Sequence, residues 1–65
     1  MFTEEEKKFL QAQLLMKIEE NIGNYNSIKD LNSEDRLRME ILRKINPGGF
    51  ELLEVKVEEM ILKTI

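Results

Sequence analysis

Two interruptions limit what this chain can become. Asn46-Pro47-Gly48-Gly49 cannot continue a helix, because proline lacks an amide hydrogen and its ring clashes with the preceding turn; Gly23 to Asn32 forms a second, Asn-rich connection. Three patterned segments remain, about 4–22, 34–45 and 50–64, each a few helical turns long. A chain of 65 residues divided in this way has room for one domain, 1–65. The expected architecture is all-α, a small helical hairpin or three-helix bundle with a connection at 23–32 and a break at 46–49.

In the first segment Thr3 stands three residues before Glu6, the capping-box spacing, and Glu4, Glu5 and Glu6 sit where the helix dipole is positive. Leu10, Leu14, Ile18 and Ile22 then form one apolar stripe with Leu15 at its margin, while Phe9, Ala12 and Met16 fall on nearly the opposite side. In the connection, Ser27 is placed to cap one short turn, with Ile28 and Leu31 turned towards the core. Ser33 or Asn32 caps the second segment, which has Glu34 and Asp35 in its first turn and Arg43 and Lys44 in its last. Its inward stripe reads as Leu37, Ile41 and Ile45, with Met39 and Leu42 spreading away from it.

The third segment carries two signals. Leu53-Glu54-Val55-Lys56-Val57-Glu58 alternates as a strand does, yet Phe50, Leu53, Val57, Met60, Ile61 and Thr64 share one helical sector. A lone strand would have no partner in this chain and its open edge would invite aggregation, so the longer helical pattern prevails. Leu52, Val55 and Leu62 make a second apolar group on that helix.

A domain this small buries only about 60% of the surface its unfolded chain exposes, and such domains commonly rely on disulfides, a metal or assembly. The chain has no Cys and no His, so a disulfide is impossible and both usual zinc ligands are missing. Assembly is what remains. The first and third helices carry more apolar residues than one core stripe needs, and each Leu, Phe or Met left in water forgoes roughly 1.5–3 kcal/mol. Phe9, Met16, Leu52, Val55 and Leu62 are therefore the expected protein interface. The expected core is Leu10, Leu14, Ile18, Leu37, Ile41, Ile45, Phe50, Leu53, Val57 and Ile61. The expected partners are a second copy of the chain, a dimer being favoured, and a further protein that takes up a helix in a groove.

Other chemistry finds little support. No Cys or His is present, Ser27 and Ser33 read as caps, and Tyr25 has nothing near it in sequence to activate it. Glu54 and Glu58 share a helix face, but carboxylates so spaced are usually a solvated surface. Asp30, Asn32 and Glu34 faintly suggest a calcium loop, yet such a loop needs a bidentate Glu where this chain has Ile41. Neither catalytic residue, cofactor nor metal is expected. Arg36, Arg38, Arg43 and Lys44 on the second helix could face DNA, although Glu40, four residues from both Arg36 and Lys44, accounts for the same charges by pairing within the helix. A net charge of −3 and a pI near 4.9 weigh against a phosphate backbone as partner.

No apolar run long enough to span a membrane and no leader pattern is read in the chain, and the expected location is the cytoplasm. The expected function is a non-enzymatic protein-interaction module, a homo-oligomeric helical regulator or inhibitor. Its Lys, Glu, Asn and Ile content is of the kind found in small proteins encoded by phages and mobile elements of AT-rich bacteria. A small DNA-binding regulator and a structural subunit of a larger particle are the alternatives.

Overall fold

The computed structural model describes residues 1–64; Ile65, the last residue of the expected domain, lies outside the described residues. Among the described residues the chain is all-α: helix α1 spans Glu4–Glu20, α2 spans Ser33–Ile45 and α3 spans Phe50–Thr64. Two single-turn 3₁₀ helices, Ile22–Asn24 and Ile28–Asp30, occupy the connection between α1 and α2. The alternating stretch Leu53 to Glu58 is helical.

Local chemistry explains most element ends. The Thr3 hydroxyl accepts from the Glu6 amide at 3.1 Å and the Glu6 carboxylate accepts from the Thr3 amide at 2.8 Å, closing the capping box. At the other end of α1 the chain tightens at Asn21, whose amide donates to the Ile18 carbonyl at 3.0 Å, so Ile22 enters a 3₁₀ turn rather than extending the helix. Ser27 caps the second 3₁₀ turn, and Asn32, not Ser33, caps α2 by accepting from the Asp35 amide at 2.7 Å. In the break before α3 the Gly49 amide donates to the Asn46 side chain at 3.1 Å, and a Cβ at Gly49 would come within 2.8 Å of the Asn46 amide nitrogen. Gly49 thus serves this close approach; none of the glycines has a positive φ.

Helices α1 and α2 pack on one another and run in opposite directions. Asn46 donates to Gln11 at 3.1 Å at one end of the pair, and Asn21 donates to Asp35 at 3.2 Å at the other. Helix α3 packs on both 3₁₀ turns. Every element contributes to one core: Ile18 from α1, Ile22, Tyr25 and Leu31 from the connection, Met39 and Leu42 from α2, and Leu53, Val57 and Ile61 from α3. Leu14, Leu15, Ile28, Ile45, Phe50 and Met60 are half-buried against it, and Leu10 is half-buried nearer the start of α1.

The inward face of α2 differs from the sequence expectation. Leu37 is 61% exposed and Ile41 37%, whereas Met39 and Leu42 are buried, and of the expected stripe only Ile45 packs against the core cluster. The reason is Asp35. Its side chain is fully buried one turn before Met39, and the face that it shares with Arg38, Met39 and Leu42 is the one turned towards α1 and the connection.

This register makes a clear prediction for urea denaturation. Leu42→Ala is expected to lower the unfolding free energy by about 2–5 kcal/mol. Leu37→Ala is expected to change it by no more than about 0.5 kcal/mol, and equal losses at the two positions would contradict the observed face.

Candidate protein-binding surface

Each helix carries a core-facing side and, away from it, apolar residues left in water. On α1, Ile18 is buried and Leu14 and Leu15 half-buried, while Phe9 and Met16, seven residues apart, are 64% and 58% exposed. Their helical neighbours are Glu5, Glu6, Glu19 and Glu20 with Ala12 and Gln13 between, so acids flank this stripe. Two shallow hollows lie along it, one lined by Phe2, Glu5, Glu6, Phe9 and Leu10 and the other by Met16, Glu19 and Glu20. On α3, Leu52 is 77% exposed, and Val55 and Leu62 are exposed with it, on the side opposite Leu53, Val57 and Ile61. All five residues expected at an interface are thus exposed, as two outward stripes on two helices. Leu37 and Ile41 add a third, on α2, that the sequence reading had assigned to the core.

The basic residues of α2 are mostly committed within the chain. The Arg36 guanidinium donates to the carbonyls of Leu31 at 3.0 Å and Lys29 at 3.1 Å, tying the second 3₁₀ turn to α2. Arg38 pairs with Asp35 and reaches Glu34 at 3.4 Å. Arg43 pairs with Glu40 at 2.7 Å, and that contact holds the Glu40 carboxyl below its ordinary range and raises the Arg43 guanidinium. Lys44 is exposed and has no ion-pair partner among the described residues. The structure therefore gathers three of these four residues into internal contacts rather than into an open basic face.

One polar constellation was not foreseen from the sequence. The Tyr25 hydroxyl donates to Asp35 Oδ2, the Asn21 side chain donates to the same oxygen at 3.2 Å, and Arg38 covers Oδ1. The Asn32 amide donates back to the Tyr25 oxygen at 3.4 Å. This cluster joins the end of α1, the connection and the first turn of α2, and among the described residues no buried side-chain polar atom lacks a partner. Burial, reinforced by the hydrogen bond to Asp35, raises the Tyr25 hydroxyl above its ordinary pKa of 10.0. Tyr25, Asp35 and Arg38 line neither of the two hollows along α1. The signal for it in the sequence was slight: a single aromatic residue, Tyr25, in an Asn-rich connection.

Among the described residues no group of three or more Asp and Glu side chains is placed to hold a metal ion, and no helix is long and apolar enough to cross a membrane.

Tyr25 is the only tyrosine and there is no tryptophan, so phenolate absorbance reports this centre alone. The folded chain keeps the tyrosine proton to a higher pH than the unfolded chain does, so its contribution to stability is complete below pH 10.0 and is lost as pH rises through the folded value. The absorbance titration is expected above 10.0 in buffer and near 10.0 in denaturant; identical curves would mean that the hydroxyl is open to water. In urea titrations Asp35→Ala is expected to cost about 1–3 kcal/mol, because it leaves the buried Tyr25 hydroxyl without its acceptor, and Tyr25→Phe about 1–3 kcal/mol as well.

No protein-family model, curated protein or solved structure matches this chain.

Proposed function

We propose that this protein is a non-catalytic binding module, a small helical bundle that associates with a second copy of itself and acts as a regulator or inhibitor by docking on another protein. The observation that carries this reading is the exposure of Phe9, Met16, Leu52, Val55 and Leu62 on faces opposite the core, in a chain with very few buried residues to stabilise it. Apolar stripes rimmed by charged residues are the usual form of a protein contact surface. The acids beside Phe9 and Met16 favour an apolar partner surface with basic edges there. A DNA-binding reading is less well supported, because Arg36, Arg38 and Arg43 already have partners within the chain. A non-catalytic role is in keeping with a buried carboxylate whose oxygens are all engaged. A chain free of Cys is also suited to the reducing cytoplasm.

Light scattering coupled to size exclusion, run over a wide concentration range, tests this. The wild-type chain is expected to show a concentration-dependent mass above that of a monomer. Leu52→Glu is expected to weaken the assembly roughly tenfold or more with unchanged circular dichroism. Arg43→Glu with Lys44→Glu, which keeps the Arg36 contacts to Leu31 and Lys29, is expected to leave it intact. A chain whose function fails with this basic pair, while every apolar stripe tolerates glutamate, is not this binding module.

A further inference from the structure

We propose that the outward face of α3 is the seam of a parallel two-helix pair formed with α3 of a second copy of this chain. This rests on the binding-module reading and assigns the self-association to one helix, one partner and one orientation.

The pattern emerges once the buried side of α3 is known. Leu52, Val55, Glu59 and Leu62 follow one another at steps of three, four and three, the spacing of the inner positions of a coiled coil, and all four are exposed. Leu53, Val57 and Ile61, which face the domain's own core, occupy the opposite positions of the same repeat. Charges flank the exposed seam in strict order. Glu51 and Glu58 immediately precede the inner positions Leu52 and Glu59, and Lys56 and Lys63 immediately follow Val55 and Leu62. One edge of the seam is therefore acidic and the other basic.

That order selects the partner. In a parallel pair each acidic edge meets the basic edge of the other helix one step along, so Glu51 faces Lys56 of the second copy and Glu58 faces its Lys63. Two-fold symmetry repeats both contacts. An antiparallel pair would set Glu against Glu and Lys against Lys along the two edges. A helix of another protein would need the same ordered edges to do as well, whereas a second copy has them by construction.

The pairing state of the charges agrees. On α1 and α2, Lys7, Lys17, Arg38 and Arg43 each have an acidic partner on the same helix, while no charged residue of α3 forms an ion pair among the described residues. The outer stripe of α1, by contrast, has Glu5, Glu6, Glu19 and Glu20 around it, with Lys17 already paired to Glu20, so it lacks one acidic and one basic edge in order.

Two repeats are too short for an isolated coiled coil, but α3 is already held helical by its own core, so association need not order it. Glu59 at an inner position sets two carboxylates face to face and keeps the pair weak and reversible.

The test uses the whole chain in sedimentation equilibrium, with circular dichroism to confirm helicity; every substituted side chain is exposed. Glu59→Leu is expected to tighten the dimer roughly tenfold or more. The double variants Glu51→Lys with Glu58→Lys, and Lys56→Glu with Lys63→Glu, are each expected to be monomeric where the wild type pairs, and to form a one-to-one heterodimer when mixed. Orientation is read from Leu52→Cys, a unique thiol in this chain. A parallel seam brings the two copies within the roughly 4.4–6.8 Å Cα separation that a disulfide spans, so oxidation should link them. A dimer that survives either charge reversal, a Leu52→Cys chain that does not cross-link, or a Glu59→Leu chain that stays monomeric overturns the proposal. If the dimer ignores α3 but is lost with Phe9→Glu plus Met16→Glu, the pairing falls while the binding-module reading stands.

Discussion

Asp35 is withdrawn wholly from water, and a carboxylate in that position is tolerable only where its lone pairs are filled. Tyr25, Asn21 and Arg38 fill them, and because these residues come from the connection, the end of α1 and the next turn of α2, filling them settles how three elements meet. Asn32 contributes twice, capping α2 through its side chain and donating its amide to the Tyr25 oxygen. The irregular stretch between α1 and α2 is therefore tied to both helices by side-chain hydrogen bonds, and α3 packs on its two 3₁₀ turns.

The orientation of α2 follows from the same interaction. Turning Leu37 and Ile41 inward would have brought Asp35 towards water and opened the cluster. Leaving the carboxylate buried instead puts Met39 and Leu42 in the core and Leu37 and Ile41 outside. The cost of two outward-facing aliphatic side chains is a few kcal/mol at most. Apolar patterning alone does not decide the face of a short helix when a buried polar group competes with it.

A chain of this size has a total stability of only about 0.05–0.15 kcal/mol per residue. Against so narrow a margin, the apolar residues facing away from the core on all three helices mark surface that gains by being covered. The stripes are chemically distinct. The α1 stripe lies among acids, suited to a basic and apolar counterpart, whereas α3 carries ordered acidic and basic edges that complement a copy of themselves.

Much of this was legible in the residues. Thr3 with Glu6, Ser27, and Asn46-Pro47-Gly48-Gly49 announce element ends through short-range hydrogen bonding and steric exclusion, which depend only on neighbours in sequence. The same holds for the exposed residues Phe9, Met16, Leu52, Val55 and Leu62, because a helix has two sides and its period separates them. The inward face of α2 and the partners of Asp35 were not legible. Tyr25 and Asp35 lie ten residues apart across an irregular connection, and no periodicity relates them. The sequence by itself pointed to three helices, their starts and their two-sidedness, since these arise from local backbone chemistry, although α1 stops at Glu20 and Ile22 enters a 3₁₀ turn. Only the tertiary structure decided which side of α2 is buried, because that depends on contacts between residues far apart in the chain.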